Sequence, residues 1–282
     1  METIASVEKL QSRIEHFRTQ MLTVGFVPTM GALHNGHKSL LQIARNQCDV
    51  VVLSIFVNPT QFNDPQDFKS YPLTMDEDLS MASAEGVDLV FIPNVQEMYG
   101  GNLSVDPVDY GSITKEYEGL TRKGHFDGVV AIVRKLFQAV NSDASFFGEK
   151  DLQQLAVIRR LASEEFPNMK IVGCPLVRDA DGLAMSSRNI RLDANGRNRA
   201  LNLSRWLGVL RIAAEAGSDI DSALEAIRME AAAIENIDLE YVDVVDSTTF
   251  ETRRGEWKTK GSHAIVAANV DGVRLIDNCA IH

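Results

Sequence analysis

The sequence is poor in cysteine and in positive charge. Its 282 residues include three cysteines, an odd number spread far apart, so neither a disulfide framework nor a cysteine metal site is expected. We interpret all three as reduced thiols of a cytoplasmic protein. The net charge of −11 argues against a protein that mainly binds nucleic acid, because phosphate backbones require a basic face.

Signals for secretion and membrane insertion are also missing. Residues 1–17 contain no apolar core followed by a small-residue cleavage site, so we expect no signal peptide. The longest apolar stretch, residues 50–57, is far shorter than the roughly 20 residues of a membrane-spanning helix. We therefore expect no membrane partner. The chain length predicts a globular protein of about two domains.

Segments typical of strands and helices alternate through the first half of the chain. The strand segment at 49–57 is apolar throughout, as in a parallel sheet that helices cover on both sides. The alternation predicts an α/β fold with a Rossmann-like, doubly wound parallel sheet. The expected strands are 22–29, 49–57, 87–93, 143–148 and 169–174, and the expected helices are 37–47, 74–86, 128–140 and 150–166.

The pattern changes after about residue 176. We predict a Rossmann-like ligand-binding domain at 1–176 and a small C-terminal α+β lid domain at 177–282. The second domain is expected to hold helices at 193–217 and 219–235 and short strands at 239–246, 263–270 and 272–277.

The most informative segment, residues 27–41, reads VPTMGALHNGHKSLL and joins a strand to a helix. Free backbone N–H groups and the helix dipole make such a junction an anion site. Gly36 lacks a side chain, which lets a phosphate approach the backbone. His34 and His37 can donate hydrogen bonds to phosphate oxygens. Two surface histidines at a helix start would be the simpler explanation of an isolated pair, but the surrounding glycines favour phosphate binding.

Two further segments carry candidate phosphate ligands. Arg188 and neighbouring serines lie in the loop 176–189 between the expected domains, where a polar linker is an equally good explanation. Lys150 and Asp151 stand where a strand meets a helix, at the edge of the sheet that binds ligands. A solvated lysine at a helix start is the alternative there. We expect Lys150 and Arg188 to converge on one triphosphate as the small domain closes.

Neutral polar side chains mark another part of the same edge. Asn58 and Gln61 follow the second expected strand, and their amides suit hydroxyl and carboxylate groups. A turn built around Pro59 explains the same residues structurally. Arg122 and His125 precede a helix, and His125 can equally be a structural residue of the helix start.

Together these segments resemble a known family. The HxGH motif with a later Met-Ser-Ser-Arg is similar to the nucleotidylyltransferase superfamily, whose relatives include class I aminoacyl-tRNA synthetases. The resemblance narrows to the pantothenate synthetase (pantoate–β-alanine ligase) family and covers essentially the whole chain. It is carried, in order, by PTMGALHNGH, FVNPTQF, GHFDGV, FGEKDLQQL and DGLAMSSRN.

The resemblance implies an AMP-forming ligase of pantothenate and coenzyme A biosynthesis. In that reaction the carboxylate of (R)-pantoate attacks the α-phosphorus of ATP, and the amine of β-alanine then displaces AMP from pantoyl adenylate. Adenylation needs donors and positive charge at the phosphates and little covalent help. The resemblance also implies a cytoplasmic homodimer. Mg²⁺ would be bound mainly through ATP, with no protein metal site.

The resemblance also implies site residues. The catalytic set is His34, His37, Lys150 and Arg188, with His37 treated by the family as a proton donor. Gln61 and Gln154 contact pantoate, Gln61 also borders the β-alanine site, and Asn58 and Arg122 are further pocket candidates. The implied ATP-binding residues are Met30, Gly31, Ala32, Leu33, His34, Asn35, Gly36, His37, Gly148, Glu149, Lys150, Asp151, Val177, Met185, Ser186, Ser187 and Arg188.

Residues 62–78 resemble the mobile active-site flap of the family, with one difference. The family usually has Tyr-Pro-Arg-Thr here, whereas this chain has Leu73 in place of the arginine. We expect this loss of a cation to affect flap closure and not the chemistry. We interpret Asp76, Glu77 and Asp78 as a solvated helix start, where acids are favoured, although they can also approach a magnesium ion.

Two rival functions share parts of this pattern. An adenylyltransferase that moves AMP onto a phosphate has the same HxGH motif, but neutral amides such as Gln61 and Gln154 fit a hydroxy acid better than a phosphorylated acceptor. A regulatory nucleotide-binding protein without chemistry is the second rival. The intact pair of histidines and the two cations argue against it.

Overall fold

The computed structural model describes residues 1–255, 257 and 260–281, which form two sheets with their helices. The elements, in chain order, are β1 (Glu2–Ile4), α1 (Val7–Thr19), β2 (Val24–Thr29), α2 (Asn35–Gln47), β3 (Val50–Ile55), α3 (Pro65–Lys69), α4 (Met75–Ala84), β4 (Leu89–Phe91), α5 (Val95–Tyr99), α6 (Ser112–Lys115), α7 (Glu118–Thr121), α8 (His125–Val140), β5 (Ala144–Gly148), α9 (Leu152–Glu165), β6 (Lys170–Cys174), α10 (Ala194–Ala216), α11 (Ile220–Ala232), β7 (Ile237–Asp246), β8 (Ser262–Val270) and β9 (Val273–Ala280). Three short 3-10 turns lie at Pro59–Gln61, Glu149–Asp151 and Ser187–Arg191.

The first sheet is parallel and has the strand order β1-β4-β3-β2-β5-β6. From β2 the chain adds β3 and β4 on one side and then β5 and β6 on the other. The strand order therefore reverses between β2 and β5. Ligands of doubly wound sheets bind at that reversal, outside the carboxyl ends of the strands. The expected α/β fold is therefore confirmed. A ligand site is expected at the segments that follow Thr29 and Gly148, where β2 and β5 end.

Apolar side chains cover both faces of this sheet. All six residues of β3 are buried, as expected for a strand between two layers of helices. One face packs against α1, α8 and α9, and the other against α2 and α4. The core on the α8 side includes Phe26, Phe91 and Phe137, each less than 2% exposed. These two layers fix the sheet on which the candidate site stands.

The second sheet is antiparallel, with the order β7-β8-β9, and α10 and α11 pack against it around the fully buried Trp206. A smaller apolar cluster joins the two parts of the molecule. In it, Leu152 and Ala156 of α9 pack against Phe250 and the strands β7 and β8. This cluster places the second sheet directly above the start of α9.

The structure differs from the expected elements at their ends and in elements that were not predicted, namely β1, α1, α3, α5, α6 and α7. β1 and α1 are not among the predicted elements, because β1 has three residues and α1 buries only Leu10 and Ile14, too few for a clear apolar period. The predicted helix 150–166 begins later, at Leu152, after a 3-10 turn. The predicted helix 37–47 begins earlier, at Asn35, because His34 caps it. In the described part of the chain, no helix is long and apolar enough to cross a membrane.

Candidate active site

A cavity opens where β2, β3 and β5 end, between the parallel sheet and the second sheet. Most of the expected site residues line it, namely Met30, His34, Gly36, His37, Asn58, Gln61, Arg122, Gly148, Lys150, Asp151, Gln154, Val177 and Met185 to Arg188. Gly31, Ala32, Leu33, Asn35 and Glu149 do not line it. The cavity also contains side chains that the motifs did not indicate, among them Tyr71, Glu118 and Tyr241.

The two histidines of the HxGH motif cap helix α2. The Nδ1 atom of His34 accepts a hydrogen bond from the Gly36 N–H (3.1 Å), and the Nδ1 atom of His37 accepts one from the His34 N–H (3.2 Å). The ring centroids lie 4.1 Å apart. Because each Nδ1 atom is an acceptor, the hydrogen of each neutral ring sits on Nε2. Each ring therefore keeps one Nε2–H donor for a ligand.

Both rings are neutral near pH 7. Burial, together with the charge of Lys150, lowers the pKa of His34 to about 4. Burial lowers the pKa of His37 to about 3, with further contributions from His34 and Lys150. The alternative of two solvated surface histidines does not describe this pair, because the rings pack against each other at the cavity wall. They are hydrogen-bond donors and not cations.

Gly36 also has a structural role that the sequence did not indicate. A Cβ atom at this position would lie 2.8 Å from Cε1 of His34 and 2.9 Å from its Nδ1. The His34 ring therefore occupies the space that a Cβ atom at residue 36 would need. Gly36 allows His34 to fold back and cap the helix.

The turn before α2 is held by a buried acid. The carboxylate of Asp78 accepts hydrogen bonds from the N–H groups of Ala32 (2.9 Å) and Leu33 (2.7 Å). The Gly31 N–H contacts the Thr29 hydroxyl at 3.2 Å. The N–H groups of the turn are therefore engaged within the protein, and the expected anion site at the N-terminus of α2 stays a prediction. The expectation that Asp78 is solvated is wrong, since its side chain is only 2% exposed.

Lys150 lies at the reversal point of the sheet, in the 3-10 turn after β5. Its side chain is 19% exposed, and its Nζ atom lies 3.6 Å from Oδ1 of Asp151. The second sheet fixes its backbone. The amide of Asn278 on β9 donates to the carbonyls of Glu149 (2.9 Å) and Lys150 (3.0 Å). Lys150 is thus a fixed cation beside the two histidines.

The Met-Ser-Ser-Arg segment closes the cavity from the side of the second sheet. The Ser187 hydroxyl donates to the Ala32 carbonyl (3.1 Å), which ties this loop to the turn before α2. The guanidinium of Arg188 forms an ion pair with Asp67 on α3 (2.7 Å), and Arg191 contacts the same carboxylate (3.1 Å). In this conformation the guanidinium of Arg188 is therefore already paired with an acid of the flap segment. Leu73, which replaces the family's arginine, is 78% exposed.

Neutral amides line the other end of the cavity. Gln61 accepts a hydrogen bond from Asn58 Nδ2 (3.0 Å), and its own Nε2 faces the sulfur of Met30 (3.2 Å). The Asn58 amide is fully engaged, because its oxygen also accepts from Tyr99 (2.7 Å). Asn58 therefore orients Gln61. Gln154 lines the cavity without a hydrogen-bond partner among the described residues.

His125 connects Gln61 to Arg122. Its Nδ1–H donates to the Gln61 carbonyl (2.8 Å), so its Nε2 accepts from Nη1 of Arg122 (3.0 Å). Burial, with the positive charge of Arg122, lowers the pKa of His125 to about 3. Of the two explanations that the sequence allowed for His125, the structure supports the structural one. This neutral ring is buried and fixes its two neighbours.

Glu118 is the centre of a buried charged cluster that the motifs did not indicate. Its carboxylate accepts from both Nη atoms of Arg274 (2.9 and 2.6 Å), from Arg122 (3.3 Å) and from the Tyr241 hydroxyl (2.7 Å). Burial raises the pKa of Glu118, but the hydrogen bonds and charge of Arg274, with Arg122, outweigh it and lower the value to about 2. Arg274 and Tyr241 come from the second sheet, so that sheet orients Arg122.

Comparisons with known proteins agree with this geometry. The family model for pantoate-beta-alanine ligase matches residues 2–280. The chain is 48% identical to a pantothenate synthetase of Acidothermus cellulolyticus, over 90% of this chain and 84% of the relative, and 42% identical to one of Cereibacter sphaeroides, over 99% of both.

Solved structures are similar over the whole chain. A pantothenate synthetase of Thermus thermophilus superimposes with a TM-score of 0.93 at 38% identity, covering 100% of both chains. The pantoate-beta-alanine ligase of Francisella tularensis, complexed with beta-gamma ATP and beta-alanine, gives a TM-score of 0.81 at 32% identity, covering 100% of this chain and 98% of the other. The chain therefore belongs to the pantoate–β-alanine ligase family, whose members are ATP-dependent ligases.

Proposed function

We propose that this cavity condenses pantoate with β-alanine through a pantoyl-adenylate intermediate, releasing pyrophosphate and AMP. Family membership supports the overall reaction. The geometric observation that supports the adenylation step is the pair of Nε2–H donors on His34 and His37 beside Lys150. Donors and a cation aimed at one point are what displacement at phosphorus requires.

In this proposal His34 and His37 stabilise the phosphate oxygens by hydrogen bonds. Burial lowers the pKa of both rings, so without a ligand each is neutral and offers its Nε2–H to a phosphate oxygen. The implied role of His37 as a proton donor remains part of the proposal. Pyrophosphate is a good leaving group, so the step needs charge stabilisation more than it needs an acid.

Positive charge at the phosphates then comes from Lys150 and Arg188, which both line the cavity. Lys150 is fixed at the sheet edge, whereas Arg188 sits on a loop and is paired with Asp67. We propose that the triphosphate replaces Asp67 as the partner of Arg188. The remaining members of the implied ATP-binding set contribute backbone groups and shape around the nucleotide.

Pantoate binds in this proposal at the end formed by Gln61, Gln154 and Arg122. The amides suit the hydroxyl groups of a hydroxy acid, and the guanidinium suits its carboxylate before adenylation. The Francisella tularensis relative, complexed with beta-gamma ATP and beta-alanine, supports a nucleotide and β-alanine as ligands of this chain. An acceptor phosphate would require more cations at this end, which weighs against the rival adenylyltransferase.

Further parts of the proposal concern the assembly. We propose that Mg²⁺ arrives with the nucleotide and is held mainly by phosphate oxygens and water, as this metal prefers. We also propose a cytoplasmic homodimer, which light scattering at several concentrations tests directly. The domain limits 1–176 and 177–282 remain a proposal. The end of β6 at Cys174 and the separate apolar core around Trp206 support it.

The test of the function separates its two steps. Exchange of labelled pyrophosphate into ATP should require pantoate and Mg²⁺ but not β-alanine, because adenylation is complete and reversible before the amine enters. Net AMP release should require β-alanine as well. Exchange that appears only with β-alanine would refute a free acyl-adenylate intermediate. Absence of both reactions would favour the regulatory rival, and AMP transfer to a phosphorylated acceptor would favour the other.

A further inference from the structure

Asp78 is a buried acid without a cation. Its side chain is 2% exposed, and within the described ranges no lysine, arginine or histidine nitrogen lies within ion-pair distance of it. Burying a carboxylate without a counter-ion is costly unless hydrogen bonds replace its water. Its partners are the N–H groups of Ala32 and Leu33 and the hydroxyl of Thr74 (3.1 Å). Such charge-assisted bonds are stronger than bonds between neutral groups.

The backbone that Asp78 holds has an unusual conformation. Gly31 and Ala32 both have positive φ angles, +83° and +50°. A Cβ atom on Gly31 would lie 2.9 Å from Oδ2 of Asp78, so the carboxylate packs tightly against this glycine. A left-handed Ala32 is unfavourable by itself and persists only where surrounding contacts enforce it. Asp78 supplies those contacts, because it accepts hydrogen bonds from the peptide N–H groups on both sides of the Ala32 Cα atom, those of Ala32 and Leu33.

The held turn leads directly into the histidine pair. Leu33 is followed by His34, whose ring caps α2 and whose N–H fixes His37. The Ser187 hydroxyl holds the Ala32 carbonyl from the opposite side. Thr74, the last residue before α4, brings the end of the flap segment to the same carboxylate. Displacing the carboxylate would therefore move the backbone that carries both imidazole rings.

We propose that Asp78 is a positioning residue for adenylation: by fixing the turn at residues 31–33 it aims the Nε2–H donors of His34 and His37 at the phosphate. The inference rests on the proposed function of those histidines. The neighbouring acids do not share this role. Asp76 and Glu77, on the same first turn of α4, are exposed to solvent.

The test compares Asp78→Asn with Asp76→Asn, the same chemical change on the exposed side of the same helix. An asparagine has one amide oxygen for the two backbone donors, and its NH₂ group must face one of them. We expect Asp78→Asn to lower the rate of pantoate-dependent pyrophosphate exchange about 10- to 100-fold, because misplacement of reacting groups by about 1 Å costs this much. The KM for pantoate should stay within about two-fold, and Asp76→Asn should behave as the wild type.

A spectroscopic measurement distinguishes positioning from general loss of structure. In ¹⁵N spectra of the imidazole rings, assigned with His34→Gln and His37→Gln, the wild type should show unprotonated Nδ1 and protonated Nε2. Asp78→Asn should shift or average the signals of His34 and His37 and leave those of His125 unchanged. A milder variant, Thr74→Ala, should move the same signals less and lower the exchange rate about two-fold, which covers the case that Asp78→Asn fails to fold.

Two results would overturn the proposal. One is an exchange rate in Asp78→Asn equal to that of Asp76→Asn. The other is a loss of rate with unchanged signals from His34 and His37. If the wild type itself shows no exchange, the proposed function fails, and the ring spectra alone then decide whether Asp78 positions the histidines.

Discussion

Different kinds of interaction hold the two ends of the cavity, namely local hydrogen bonds at one end and buried ion pairs at the other. At the end proposed for the nucleotide (the nucleotide end), neutral rings and backbone groups form hydrogen bonds between residues close in sequence, as in the contacts of His34 with Gly36 and His37. At the end proposed for pantoate (the pantoate end), ions are buried together, and Glu118 pairs with Arg274 from the second sheet. The first end is a local motif placed on a sheet, whereas the second exists only after both parts of the chain have packed.

This difference suits the ligand that we propose for each end. ATP brings a large negative charge, so the receiving wall needs donors whose state does not depend on pH, with a few cations nearby. Pantoate brings one carboxylate, and a single oriented guanidinium is sufficient. Glu118 prevents Arg122 from moving freely, at the expense of burying a charge. We expect the two ends to respond differently to mutation and acid.

The largest effect is expected from a substitution in the charged cluster at the pantoate end. Glu118→Gln should destabilise the fold by about 3–5 kcal/mol, because removing one partner of a buried ion pair leaves the other uncompensated. Urea denaturation measures this change. The control is Glu240→Gln, which removes the more exposed partner of Arg274 (23% exposed side chain) and should cost much less. Equal losses in the two variants would show that Glu118 is not the centre of the cluster.

Substitutions of the histidines at the nucleotide end should lower the rate of adenylation and leave most of the free energy of unfolding unchanged. His37→Ala and His34→Ala should each slow adenylation about 10²- to 10³-fold, the usual effect of removing one transition-state donor. Their unfolding free energy should fall by only about 1 kcal/mol, the typical contribution of a helix cap. Pyrophosphate exchange and urea denaturation measure the two effects. His16→Ala, an exposed histidine on α1, serves as the control. Near-normal exchange in either active-site variant would remove that histidine from the mechanism.

Acid should separate the contributions of His34 and Glu118 by pH. The unfolded chain protonates His34 near pH 6.5, whereas the folded protein does so only near pH 4, so this stabilising contribution is present above pH 6.5 and is lost as the pH falls toward 4. The contribution of Glu118 is present above pH 4.5 and is lost as the pH falls toward 2. His34→Gln should therefore flatten the stability curve between pH 6.5 and 4 by up to about 1.4 kcal/mol per pH unit.

Glu118→Gln should flatten the same curve only below pH 4.5. Urea midpoints at half-unit pH steps, measured for both variants and the wild type, test this separation. If the two variants flattened the curve over the same range of pH, the assignment of a neutral ring to His34 and an ionised carboxylate to Glu118 would be incorrect.

The smallest effect concerns the ion pair between Arg188 and the flap segment. Asp67→Asn should lower the KM for ATP about two- to five-fold, because the partly exposed pair contributes about 0.2–1 kcal/mol and must open before Arg188 can contact a phosphate. Steady-state kinetics at saturating pantoate measure this, with Asp76→Asn as the control. An unchanged or higher KM would mean that Asp67 does not compete with the nucleotide.

What could be predicted from the sequence follows the same division. The parallel sheet, the HxGH junction and the position of Lys150 depend on neighbouring residues and on strand periodicity, and they were predicted. The packing of the His34 ring beside Gly36 was not predicted, because the sequence does not show which group occupies the space of a missing side chain. Glu118 could not be found, because its partners Tyr241 and Arg274 lie more than a hundred positions away.

Asp78 illustrates a second limit. It stands among acidic neighbours at a helix start, where solvation is the ordinary outcome, and nothing in the local pattern separates it from Asp76. Its burial results from the way α4 packs over the turn at residues 31–33. That arrangement is a property of the assembled layers and not of the segment.

The contact of Asn278 with the carbonyls of Glu149 and Lys150 has a consequence for the order of events during synthesis. Domains generally fold as units while the ribosome is still translating. The parallel sheet can therefore assemble with Lys150 at its edge long before β9 is made. Until β9 arrives, neither the carbonyls at the Lys150 turn nor the carboxylate of Glu118 has its final partners. The nascent chain should thus acquire nucleotide-binding architecture early and catalytic competence only when β9 has been translated.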